Sequence, residues 1–137
     1  MTDFGLLLAT AAQALERAYA PYSQLRVGAA VLTEAGGVYS GCNVENAAFP
    51  IGGCAEHHAI AAAVRAEGPG MRLRAVAISA RDVHDAAVAI PPCGACRQLI
   101  REFGSEVEVA FLGRDGEVLR FGIEELLPQS FALDAVR

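Results

Sequence analysis

Two stretches of this chain are best suited to chemistry: Cys54-Ala55-Glu56 and Pro92-Cys93-Gly94-Ala95-Cys96. Together they offer three thiolates and a carboxylate. Three thiolates leave a tetrahedral zinc ion one open position, which is the arrangement of a catalytic site rather than a structural one. Glu56 is then free to take and return protons of a water held there. Cys93 and Cys96 lie one turn apart on one face of a helix. Cys54 opens another helix, where the dipole favours its thiolate. A fourth thiolate from Cys42 would close the site. Its separation from Cys54 by 11 residues, and that of Cys54 from Cys93 by 38, is not the spacing of a compact four-cysteine module.

Two further groups lie close in sequence. Alternation puts Asn43 and Glu45 on the same side of an extended segment. An amide that donates and accepts, beside a carboxylate that accepts, can grip sugar hydroxyls. On spacing alone, a polar loop with no ligand explains this segment as well. His57 and His58 project from the first helical turn at different azimuths. His57 is read as a donor to a cysteine sulfur. His58 is read as a packing or surface residue with no role.

The elements that must position these groups follow from periodicity. Phe4, Leu7, Leu8, Ala11, Leu15 and Ala18 recur at helical spacing, so the sequence predicts a helix over 3–19, capped by Thr2 or Asp3. Strands are expected over 27–32 and 38–42, joined as a hairpin by Glu34-Ala35-Gly36-Gly37. Gly28-Ala29-Ala30 is small, as where a strand passes close under a helix or ligand. Residues 50–53 read as loop, 54–67 as a helix, 73–79 as a central strand and 93–104 as a helix. Strands over 107–112 and 118–121 and a short helix over 123–127 complete an α/β order with about five strands and helices on both faces. Two helix N-termini can then face each other at one edge of the sheet, where open α/β sheets place their ligands.

Composition narrows the function. A chain of 137 residues is one domain, residues 1–137, with room for a core. Hydrophobic residues make up 53 %, many of them alanine, which lets helices pack closely; part of the excess can cover a subunit interface. A net charge of -5 argues against a polyanion-binding face and for a small neutral substrate. No apolar run is long enough to cross a membrane, and no basic region precedes the N-terminal apolar stretch. A cytoplasmic protein is expected, a compartment in which cysteines serve as ligands or nucleophiles more often than as disulfides.

Taken together, these residues resemble the small homotetrameric zinc-dependent cytidine deaminase family, from about Pro21 to Phe131. The resemblance is carried by Tyr22-Ser23 with Val27-Gly28-Ala29-Ala30, by Gly41-Cys42-Asn43-Val44-Glu45-Asn46-Ala47, by the two cysteine stretches with Arg97-Gln98, and by Leu126-Leu127-Pro128. It implies a three-layer α/β/α fold with a mixed five-stranded sheet. It implies one Zn2+ per subunit on Cys54, Cys93 and Cys96, with Glu56 as proton shuttle. Hydroxide generated at the zinc would deaminate cytidine or 2'-deoxycytidine to uridine or 2'-deoxyuridine plus ammonia. Asn43 and Glu45 would hold the ribose, and the Ala55 backbone the pyrimidine. Phe131 would close a neighbouring subunit's pocket in a homotetramer.

The chain departs from the family pattern in three places. His57 replaces the usual Arg after the catalytic Glu, Leu25 stands where Phe is common, and Phe49-Pro50-Ile51-Gly52-Gly53 replaces a more usual Tyr-Gly-containing run. The pocket departures leave open the same chemistry on another aminated ring, such as a modified cytidine or a blasticidin-like compound. A polynucleotide-editing deaminase lacks support in the net charge. A non-catalytic four-cysteine zinc module would need Cys42 as a ligand and no use for Glu56.

Overall fold

The computed structural model describes residues 2–133. Its element order is α1 (Phe4–Leu15), β1 (Arg26–Thr33), β2 (Val38–Cys42), a 3-10 turn (Phe49–Ile51), α2 (Ala55–Glu67), β3 (Leu73–Arg81), α3 (Gly94–Glu102), β4 (Glu108–Leu112), β5 (Val118–Gly122) and α4 (Ile123–Leu126). The five strands form one sheet in the order β2-β1-β3-β4-β5. It is mixed: β1 runs antiparallel to both β2 and β3, β3 and β4 are parallel, and β4 and β5 are antiparallel.

That topology decides where the chemistry goes. β2 and β3 flank β1 and both oppose it, so they point the same way. α2 leaves the end of β2, and α3 follows the end of β3 after a crossover. Both helices therefore begin at the same edge of the sheet, beyond the C-terminal ends of parallel strands. The expectation of two facing helix N-termini holds.

The sheet's faces differ in residue size, which explains the alanine content. Ala30, Ala75, Ala77 and Ala110 share one face with Phe4, Leu7 and Ala11 of α1. Val31, Val76, Ile78, Val109 and Phe111 alternate to the other face, where they meet Ala59, Ile60 and Ala63 of α2 and Ile100 of α3. Small residues let α1 approach the sheet closely. A Cβ at Gly28 would fall 1.9 Å from the Ala11 carbonyl oxygen, so β1 must be glycine at that point.

α1 is shorter than the expected 3–19. Asp3 caps it, its carboxylate accepting from the Leu6 N–H at 3.0 Å. It ends at Leu15 because the next residues tighten into turns and Tyr19 is drawn into extended pairing with Val44. The Tyr19 N–H donates to the Asn43 carbonyl at 3.0 Å, and the Glu45 N–H donates to the Tyr19 carbonyl at 2.9 Å. Tertiary pairing overrides a helical apolar pattern. The other unforeseen element is the 3-10 turn over Phe49–Ile51, which lies partly in the expected loop at 50–53.

Candidate active site

Cys54 is the N-cap of α2 and Cys93 the N-cap of α3, each extended just before its helix begins. Cys96 lies in the first turn of α3, and Ala55 and Glu56 in the first turn of α2. Neither helix has a side-chain cap bond at its N-cap residue, and the positive end of each helix dipole lies at the end where the sulfurs gather. The three Sγ atoms lie within 4.8 Å of one another. Cys96 is buried, whereas Cys54 and Cys93 are exposed on the open side. Cys42 is outside the cluster; its carbonyl lies 2.7 Å from His58 Nδ1. Among the described residues, the cluster that could hold a metal ion is a triad and not a closed four-cysteine set.

The thiols perturb one another. A hydrogen bond from Cys96, first, with a weaker one from Cys93, pulls Cys54 down to about 6 against the cost of burial and the charge of Glu56. The same bond to Cys54, with burial and the Glu56 charge, pushes Cys96 up. Three sulfurs this close cannot all ionise without a cation between them. Three soft thiolates with no oxygen donor in the triad suit zinc, so the residues present fit that ion.

Glu56 is only 5 % exposed, and burial lifts its carboxyl above the ordinary value of 4.5 despite bonds from its own backbone N–H and from Cys96. Its carboxylate thus touches the sulfur cluster and opens on the same space. That space is a cavity of about 610 Å³, lined by the three cysteines, Glu56, Ala55, Asn43 and Glu45 among others. Leu25, Val27, Ile78 and Ile90 give it apolar walls. Ala55 is fully buried there, with an N–H of the kind an α-helix leaves without an intrahelical partner.

Asn43 and Glu45 do more than face the cavity. The Asn43 amide oxygen accepts from the Val27 N–H at 2.8 Å, and its nitrogen donates to the Leu25 carbonyl at 2.9 Å. Each half of the amide keeps one hydrogen-bonding position for a ligand. Glu45 accepts from the Tyr22 and Ser23 N–H groups at 3.0 and 3.1 Å and from the Ser23 hydroxyl. The Ser23 bonds, chiefly, hold its carboxyl below the usual range. The spacing showed the pair's common direction but not these bonds to the loop before β1.

Two further expected site residues do not line this cavity. His57 is exposed and stacks on His58, ring centroids 5.8 Å apart; no bond from it to a cysteine sulfur is present among the described residues. Phe131 is 69 % exposed and outside the cavity lining, its carbonyl accepting from Gln98 Nε2 at 3.0 Å. Arg97 had no assigned role. Its Nε donates to the Pro92 carbonyl at 2.8 Å and its Nη1 to the Leu126 carbonyl at 2.8 Å, fastening the segment before Cys93 to the end of α4. Only its place beside Cys96 could have signalled this.

An open triad of thiolates at two helix N-termini, with a buried carboxylate against it, defines a hydrolytic metal centre on an α/β sheet. The family model for the cytidine and deoxycytidylate deaminase zinc-binding region matches residues 2–112. A cytidine deaminase of Halalkalibacterium halodurans is 40 % identical over 133 residues, 96 % of each chain. One from Sporosarcina psychrophila is 39 % identical over 132 residues, covering 95 % of this chain and 92 % of the relative. The crystal structure of cytidine deaminase from Burkholderia pseudomallei superposes with a TM-score of 0.81 at 41 % identity, over 96 % of this chain and all of that one. The chain belongs to the cytidine and deoxycytidylate deaminase zinc-binding family, and its cofactor is zinc.

Proposed function

We propose that this enzyme hydrolyses cytidine or 2'-deoxycytidine to uridine or 2'-deoxyuridine and ammonia, as one zinc deaminase domain. The observation that carries the proposal is the placing of Glu56, nearly buried, against the cysteine triad on a cavity that Asn43 and Glu45 also line. The relatives' names as cytidine deaminases support the substrate.

Cys54, Cys93 and Cys96 would hold the zinc. When bound, the ion makes water acidic enough to attack at neutral pH and stabilises charge on the reacting centre. Glu56 would accept one proton of the attacking water and deliver it to the ring nitrogen; it would then take the remaining proton from the hydroxyl added to the ring carbon and pass it to the departing amine, which leaves as ammonia while the carbonyl forms. The first-turn N–H groups of α2, that of Ala55 among them, face the base. Asn43 and Glu45 hold the ribose with the hydrogen-bonding positions left over from the loop contacts. The apolar walls keep bulk water from the ring and strengthen the polar contacts.

The active assembly is a homotetramer in this proposal, with Phe131 closing a neighbour's pocket. Its exposure away from its own cavity supports that role, as do the apolar side chains of Tyr22 and Phe49 in the cavity lining, which are 51 % and 72 % exposed. A cytoplasmic site suits three reduced thiols; among the described residues, no helix is long and apolar enough to cross a membrane. Partners are a small nucleoside and other copies of the chain, with no nucleic-acid polymer and no membrane.

A panel of zinc-loaded assays tests the substrate: cytidine, deoxycytidine, modified cytidines, blasticidin-like compounds and single-stranded DNA. Turnover of the first two supports the proposal. Turnover of another aminated ring with cytidine ignored would move the substrate while keeping the chemistry, and Leu25 and Phe49 in the lining are where such a change would originate.

A further inference from the structure

The segment that carries Asn43 and Glu45 meets the turn that carries Cys54 at one isolated bridge. The Val44 N–H donates to the Gly53 carbonyl at 3.0 Å and the Gly53 N–H to the Val44 carbonyl at 2.9 Å. No strand ladder continues from this pair, and further contacts to the two segments add to it. His58 of α2 makes one with each. Its Nδ1 is 2.7 Å from the carbonyl of Cys42, the residue before Asn43. A carbonyl can only accept, so Nδ1 carries the proton and donates. The other side of the ring fills the space beside Gly53, the residue before Cys54. A Cβ at Gly53 would stand 2.4 Å from Nε2 and 2.5 Å from Cε1. His57 stacks on the same ring with an interplanar angle of 9°.

We propose that His58 is a positioning residue that sets the metal-ligand turn against the substrate-holding segment through the Cys42 carbonyl and the Gly53 backbone. It rests on the reading that Cys54 holds zinc while Asn43 and Glu45 hold substrate. Gly53 is glycine because the imidazole occupies the place of its side chain. Replacing the ring loosens two functional segments at once, although it touches neither zinc nor nucleoside.

The test compares His58→Ala, His58→Asn, Gly53→Ala and the Gly53→Ala/His58→Ala double variant with wild type. Zinc release to a chromogenic chelator is measured first, because it needs no substrate; KM and kcat for cytidine follow. His58→Ala is expected to release zinc and to raise KM by about 2- to 10-fold each, the effect of one neutral hydrogen bond, with kcat changed less. In His58→Asn an amide N–H takes the place of Nδ1 and returns both values toward wild type. Gly53→Ala releases zinc faster than wild type, and adding His58→Ala makes it no worse than His58→Ala alone, because the clash is gone. If His58→Ala does not fold, His58→Asn and Gly53→Ala decide the question in the same way.

Wild-type behaviour of His58→Ala, equal defects in His58→Asn and His58→Ala, or simple addition of the Gly53 and His58 effects would overturn the proposal. A wild type that holds zinc but ignores cytidine overturns the substrate alone and leaves the chelator comparison to judge His58. A wild type that holds no zinc overturns both.

Discussion

The cavity has two ends built by different means. At the metal end every reacting group belongs to the start of a helix: Cys54 and Cys93 as N-caps, Glu56 and Cys96 in first turns. At the mouth, Tyr22, Ser23, Asn43 and Glu45 lie outside helices and strand ladders. They are held by bonds that span 16 to 23 residues of sequence. Local backbone geometry fixes the first end, and the packing of α2 and α3 on the sheet supports it. Single side chains fix the second, so one substitution there loosens a whole segment. Chemistry is expected to fail all at once at the metal end and binding to degrade by steps at the mouth.

Substitutions can break this contrast. Cys93→Ala removes a proposed ligand and is expected to abolish both bound zinc and activity, as metal analysis and a cytidine assay would show; partial zinc retention with turnover would mean a ligand outside the triad. Asn43→Ala leaves the Val27 N–H and the Leu25 carbonyl without their partner. The expected cost is about 1–3 kcal/mol of stability, seen as a lower Tm, with zinc content unchanged. Glu45→Gln keeps the shape but weakens three charge-assisted bonds, and KM is expected to rise about 10-fold while zinc binding stays intact.

The Glu45 bonds also set a pH dependence. Its folded pKa is lowered, so they support the fold fully above the ordinary carboxyl value of 4.5 and are lost as pH falls through the lower folded value. Acid titration of the wild type against Glu45→Gln would reveal a difference confined to that window. The smallest effect is expected from Arg26→Ala, which cuts surface pairs to Asp85 at 2.5 Å and Glu16 at 3.7 Å; a Tm loss worth more than about 1 kcal/mol would show that this latch on the crossover is more than a surface contact.

The same contrast explains what could be read from the sequence. Cys54, Glu56, Cys93 and Cys96 announce themselves because helical spacing and thiol chemistry are local properties. The strand over 38–42 and the small residues at 28–30 follow from alternation and size, and the structure has both, with Gly28 packed beneath α1. The end of α1 was not legible, because Tyr19 pairs with Val44, 25 residues on in sequence, and nothing in the helical pattern shows it. Nor were the bonds of Asn43 and Glu45 to the loop before β1, the grip of Arg97 on the Leu126 carbonyl or the place of His58 beside Gly53. Each depends on two distant segments arriving together, which spacing does not encode.

The proton role of Glu56 is tested most directly by following the loss of cytidine absorbance with wild type and Glu56→Gln side by side, zinc assayed in both. Burial raises the Glu56 carboxyl, so ionising it costs stability as pH rises through its folded pKa, and glutamine removes that cost. The metal-free variant is therefore expected to unfold no earlier than metal-free wild type at neutral pH, which separates lost chemistry from lost fold. The expected result is full zinc in both proteins and a rate at least about 100-fold lower in the variant. A zinc-loaded Glu56→Gln that turns over cytidine at the wild-type rate would contradict the assignment of proton transfer to this carboxylate.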